Sequence, residues 1–214
     1  MLSPVQTSPT TVIPDVLEAA QTYDIRRLLF LLNQSQTTFG LGTTVDEIVM
    51  PSMRLVGRLW ESGQADVGEE HVATVATQMW LGQVLANSVP PNRIGTVLLA
   101  CGPSDLHSLG LECMAALLAE RGADCRSLGS AVPTRSVAAA VARVRPVAVV
   151  LVSHSLKGRP GAVRTLTAAA QQGVDVYYAG AAFGLEGSRT GVPGCYLGER
   201  LSDAADLVVR LSLG

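Results

Sequence analysis

Thr96-Val97-Leu98-Leu99-Ala100-Cys101-Gly102-Pro103-Ser104-Asp105-Leu106-His107-Ser108-Leu109-Gly110 is an apolar run that breaks into a polar loop and resumes with helical spacing. Residues 96–100 are short and lack a polar face, as expected of a strand buried on both sides. A helix is expected from about residue 108 to 121. The pattern recurs downstream. Residues 147–152 and 174–178 read as further apolar strands, and Ala-rich helices over 135–143 and 162–171 separate them. A last helix covers about 202–211, and 125–128 is a weaker strand at or near an edge. Buried strands alternating with helices define an α/β class with a doubly wound parallel sheet, Rossmann-like or flavodoxin-like. Such sheets bind ligands outside the carboxyl ends of their strands, here the loops 101–109, 153–161 and 180–194.

Upstream, residues 13–87 carry helical spacing throughout. Asp15 is expected to cap a first helix to about Tyr23, and Asp24 a second with Leu28, Leu29, Leu31 and Leu32 on its apolar face. Thr44 precedes a third helix expected over 45–60, which Gly63 ends, and a fourth covers about 68–87. Four helices with short loops form a bundle. Val89-Pro90-Pro91-Asn92-Arg93 reads as a linker. The expected organisation is a flexible start over 1–12, a four-helix cap over 13–89 and the α/β domain over 90–214.

Composition narrows the function classes. With 48% hydrophobic and 4% aromatic residues, the core must be built from Ala, Val and Leu. A net charge of −2 gives no basic footprint, so no direct DNA binding is expected. The four cysteines lie far apart without a Cys-x-x-Cys pair, which speaks against a zinc site or a disulfide framework. The start lacks the features of a signal peptide, and the longest apolar run is too short to cross a bilayer. A cytoplasmic protein with no membrane partner is the expectation. No Gly-x-Gly-x-x-Gly follows the first strand, so a dinucleotide site is not indicated.

His107 falls at the ligand-binding end of the first strand, two residues after Asp105. A carboxylate there can accept the proton of one imidazole nitrogen and leave the other as a donor to a metal. An isolated Asp-x-His is more often only a polar pair at a helix start. Here, however, Asp105-x-His107-x-x-Gly110 resembles the motif of the methionine-synthase type of cobalamin-binding domain. The resemblance implies that His107 is the lower cobalt ligand in place of the cofactor's own base, whose nucleotide tail enters the edge of the sheet. Ser153-His154-Ser155 resembles the family's Ser-x-Leu, with Ser155 in place of Leu. Gly180-Ala181-Ala182-Phe183-Gly184 resembles its Gly-Gly turn, with Ala181 as second residue. This likeness covers about residues 95–214.

The helical half is similar to the cap of corrinoid proteins over residues 50–60. Trp60 followed by Glu70-His71 resembles the light-responsive cobalamin regulators, in which Trp, Glu and His line the upper face of the corrin beside an adenosyl group. Alone, a bundle Trp and an acidic helix start would explain these residues equally well. Glu61 stands where such photoreceptors often have a second, cobalt-trapping His. The resemblance therefore implies a sensor rather than an enzyme. It would bind cobalamin, with adenosylcobalamin favoured, through Asp105, His107, Gly110, Ser153, Ser155, Gly180, Phe183, Trp60, Glu70 and His71. It would act on a partner protein, with a homo-oligomer and an additional bilin both compatible. The alternative is a corrinoid protein carrying methyl groups for a cobalamin-dependent methyltransferase system. Of the remaining conspicuous residues, Trp80 is expected in the bundle core, and Tyr177 and Tyr178 are expected on opposite faces of a strand. His154 is placed to touch the cofactor or a second chromophore.

Overall fold

The computed structural model describes residues 8–88 and 95–212. The chain divides into two compact units, Met1–Ala86 and Asn87–Gly214. The expected linker over 89–93 lies outside the described residues.

In the first unit, Pro9–Val12 forms a 3-10 turn and Val12 is buried in the helical core. The loose start expected over residues 1–12 therefore does not extend through its last four positions, because Val12 is needed for packing. Helix α1 is Ile13–Gln21, and α2 is Ile25–Phe39. Asp15 lies in the first turn of α1 rather than at its cap, where a carboxylate still suits the helix dipole. Asp24 does cap α2: its Oδ1 accepts the Arg27 N–H at 2.9 Å.

The third expected helix is less regular. A short α3, Leu41–Thr43, runs into six π-helical residues, Thr44–Val49, and then into α4, Met50–Glu61. Thr44 is buried inside this run, its hydroxyl donating to the Gly40 carbonyl at 2.8 Å. Pro51 opens α4 and has no N–H for the carbonyl four residues back, so the α ladder is interrupted where the wide turns precede it. Helix α5, Val67–Asn87, completes the unit. Val12, Val16, Ala19, Leu28, Leu31, Ile48 and Ala76 share one core. Trp80 is also fully buried, and its indole N–H donates to Gln36 Oε1 at 3.1 Å.

The second unit is a parallel five-stranded sheet ordered β2-β1-β3-β4-β5. The strands are β1 Thr96–Cys101, β2 Asp124–Ser127, β3 Ala148–Val152, β4 Asp175–Ala179 and β5 Cys195–Tyr196. Val97 pairs with Ala148, and Val152 with Ala179, so β1, β3 and β4 end side by side. Helices α6, Leu109–Glu120, and α9, Leu201–Ser212, pack together, as do α7, Thr134–Val144, and α8, Arg159–Ala170. The two tyrosines of β4 point to opposite faces. The Tyr177 hydroxyl meets Ser212 of α9 at 2.6 Å, whereas Tyr178 packs with Val137, Val141, Ala162, Leu166 and Phe183. The weak strand near residue 125 is indeed the edge strand β2.

Strand β5 was not expected. It is two residues long and follows Gly194, whose φ of +92° and close approach to the Val176 carbonyl leave no space for a side chain. The segment before it is held by two arginines. Arg159 donates to the Ser188 carbonyl at 2.8 Å, and Arg189 to the carbonyls of Phe183 and Gly184 at 2.9 and 2.8 Å. Arg189 also lies over the Tyr196 ring, 3.8 Å from its centroid. Among the described residues, no helix is long and apolar enough to cross a membrane.

Candidate functional site

The carboxyl ends of β1, β3 and β4 bring three loops together, and Asp105 lies at their junction. After β1 the chain turns: Gly102 N–H donates to the Val152 carbonyl at 2.9 Å, and Asp105 N–H to the Gly102 carbonyl at 3.0 Å. This turn tucks the Asp105 side chain inward, and the residue is only 2% exposed. A buried carboxylate needs partners on both oxygens. Oδ1 accepts the backbone N–H of His107 at 3.0 Å and faces His107 Nδ1 at 3.3 Å. Oδ2 accepts the backbone N–H of His154. His154 Nδ1 also lies 3.3 Å from Oδ2, but it points too far off line to make a hydrogen bond and is buried without another partner. The imidazoles of His107 and His154 meet edge to face, with centroids 5.7 Å apart.

Electrostatics fix the protonation of this cluster. Burial alone would raise the Asp105 carboxyl. The close His154 ring and the backbone N–H groups of His154 and His107 outweigh it and hold the acid well below the usual carboxylate range. Cys101, the last residue of β1, has the opposite fate. Burial, with the negative charges of Asp105 and Glu112 nearby, pushes its thiol up to about 12, so it is no thiolate ligand at neutral pH.

The His107 side chain is 82% exposed. An imidazole whose Nδ1 proton is directed at an ionised carboxylate carries its lone pair on Nε2. Neutral imidazole nitrogen suits cobalt better than hard oxygen does, and the carboxylate behind it fixes the orientation of the ring. The donor set therefore fits a cobalt held from one side, and these residues fit cobalamin.

The other expected residues are placed as follows. Ser153 is buried at the end of β3 and its Oγ has no partner. Glycines stand beside it: a Cβ added at Gly158 or Gly102 would lie 3.4 or 3.7 Å from that oxygen. Ser155 is exposed, and its carbonyl accepts the N–H groups of Gly158 and Arg159, both at 3.0 Å, at the start of α8. Gly110 lies in the first turn of α6. Gly180 has φ +101° and packs directly on the Ser153 backbone, so its small size serves the joint between two loops. Phe183 departs from expectation. Its side chain is fully buried against Tyr178, with centroids 4.8 Å apart, and belongs to the core rather than to a ligand surface.

In the helical unit, Trp60 ends α4 and is 48% exposed, which is unusual for the largest apolar side chain. Glu70, in the opening turn of α5, accepts the Thr74 hydroxyl at 3.0 Å, and its Oε2 lies 3.9 Å from Nε2 of the exposed His71.

A family model described as a B12 binding domain matches residues 12–85. The HTH-type transcriptional repressor CarH of Myxococcus xanthus is 31% identical over 170 residues, covering 78% of this chain and 56% of that protein. CarA of the same organism, likewise described as an HTH-type transcriptional repressor, is 29% identical over 121 residues, covering 56% of this chain and 40% of that protein. The chain thus spans about half the length of the curated relatives it matches. Among solved structures, the monomethylamine corrinoid protein of Methanosarcina barkeri superposes with a TM-score of 0.77 at 13% identity, over 95% of this chain and 100% of that one. The methanol:cobalamin methyltransferase complex MtaBC of M. barkeri gives 0.52 at 20% identity, over 95% and 80%. At those identities the likeness shows the fold alone. Residues 12–85 thus match a B12 binding domain, and the chain is a homologue of the CarH and CarA repressors with the fold of corrinoid proteins.

Proposed function

We propose that this chain is a cobalamin sensor in which His107 is the lower axial ligand of cobalt, and that its stimulus is light acting through adenosylcobalamin. The observation that carries the reading is the exposed His107 imidazole with its Nδ1 set on a buried, ionised Asp105. When bound, adenosylcobalamin supplies a cobalt–carbon bond that light can break. The protein's part is to orient and protect. Asp105 holds the His107 ring, the unpartnered Ser153 hydroxyl offers a hydrogen bond to the nucleotide tail, and Trp60 offers an apolar surface to the adenosyl group. Glu70 and His71 are proposed as further contacts for that upper group. The output is regulation of a partner protein, in keeping with the regulatory names of the two relatives.

The test is the absorption spectrum of the purified protein loaded with hydroxocobalamin or adenosylcobalamin. Wild type is expected to show base-off, His-on cobalamin. His107→Ala is expected to weaken binding at least about tenfold or to return a base-on spectrum. An unchanged spectrum and affinity in His107→Ala would overturn the assignment. Adenosylcobalamin is expected to bind more tightly than methylcobalamin, with Trp60→Ala eroding the preference, and illumination to shift the elution volume of the loaded protein. Indifference to the upper ligand, together with methyl transfer to a thiol, would establish the methyl-carrier reading instead. Absorbance bands of a metal-free open tetrapyrrole in the same spectrum would add the bilin.

A further inference from the structure

The Asp105 carboxylate faces two histidines, each through a backbone N–H and a nearby ring nitrogen, but only the His107 ring is hydrogen-bonded to it. His107 gives Oδ1 a backbone N–H and a ring nitrogen at 3.3 Å. His154 gives Oδ2 a backbone N–H and a ring nitrogen also at 3.3 Å. Only one of the two rings is exposed enough to meet a ligand from the front, since the His107 side chain is more than twice as exposed as that of His154. The Ser153 hydroxyl, on the residue that precedes His154, has no hydrogen-bond partner.

We infer that His154 is the positioning residue for the His107 imidazole: its backbone N–H fixes the second oxygen of Asp105, and its ring, 3.3 Å from that oxygen and edge-on to His107, sets the angle at which the His107 ring is presented. The inference rests on the reading of His107 as the cobalt ligand, and goes beyond it by assigning a task to a residue outside the ligand set. A carboxylate pinned through one oxygen alone can swing about its Cβ–Cγ bond. Pinned through both, it keeps Oδ1 on the Nδ1 side of His107 and leaves Nε2 as the donor. The ring contact at 5.7 Å adds a wall that limits rotation of His107.

The test uses the full chain labelled with nitrogen-15 at histidine. Long-range proton–nitrogen NMR at pH 8, with no cobalamin present, reads the tautomer of His107. Wild type is expected to hold the proton on Nδ1. His154→Ala is expected to lower that tautomer's share several-fold, and His154→Gln, which restores a planar polar group beside Asp105 and His107, to recover part of it. The same variants are then loaded with hydroxocobalamin, and His154→Ala is expected to bind about tenfold more weakly, with a mixed base-on and His-on spectrum. A His107 tautomer unchanged in His154→Ala would overturn the inference. Should the Ala variant not fold, His154→Gln decides: a partial shift of the proton from Nδ1 to Nε2 supports the inference, and a tautomer unchanged from wild type refutes it. If wild type takes up cobalamin base-on, the ligand assignment fails, and the tautomer measurement still decides what His154 does to His107.

Discussion

Cys125 on β2 donates its thiol to the Ala115 carbonyl across 3.4 Å. Burial first, and then the Asp124 carboxylate, pushes it from 9.0 up to about 12. The folded chain therefore binds this proton more tightly than the unfolded chain does. The resulting stabilisation is complete below the free thiol's range and is lost as pH climbs through it towards 12. At pH 8, iodoacetamide is expected to label Cys125 far more slowly in the native protein than in urea, measured by mass spectrometry of the peptide. Equal rates would refute the burial argument. The same scale shows what the sequence could and could not tell of the site. Asp105 and His107 are two residues apart, so their pairing is local and legible as a motif. The partnership of Asp105 with His154 spans 49 positions and runs largely through a backbone N–H, which no side-chain pattern reveals. Phe183 was misplaced for the converse reason: a conspicuous ring in a ligand-end loop turned back onto Tyr178 once the sheet had formed.

Helix α5 has no charged side chain between His71 and Asn87, so periodicity alone could not say which of its faces is buried. Trp80 settles part of that: it is fully enclosed and tied to Gln36 of α2. Trp80→Phe is expected to cost about 1–3 kcal/mol, because it leaves the half-buried Gln36 amide oxygen without its donor as well as opening space. Urea unfolding monitored by far-ultraviolet circular dichroism measures this, and an unchanged midpoint would show that the indole N–H is dispensable. Strands β1 and β3 were legible because both their faces are buried and nearly every residue had to be apolar or small. Strand β5 escaped because two residues carry no periodicity, and its position depends on the left-handed backbone at Gly194. The π-helical turns before α4 had a visible cue in Pro51, but the helical spacing across 45–60 concealed the change of pitch.

Across the whole molecule, the relatives named as HTH-type repressors are longer than this chain, which covers 56% and 40% of them. With a net charge of −2, these 214 residues are not expected to bind duplex DNA with sequence preference. A salt-sensitive, sequence-selective mobility shift at physiological ionic strength would show the opposite. The two units also differ in how far apart in the chain their contacts lie, and the order of the sheet has a consequence for synthesis. Strand β1 occupies an inner place, yet its neighbour β3 follows only after α6, β2 and α7. A ribosome releases the helical unit, whose partners are close by, well before the sheet can close. At about 5–20 residues per second, the β3-facing edge of Val97-Leu98-Leu99-Ala100 then waits a few seconds without its partner. The segment that later carries Asp105 and His107 is thus the stretch of nascent chain most in need of a chaperone's shelter.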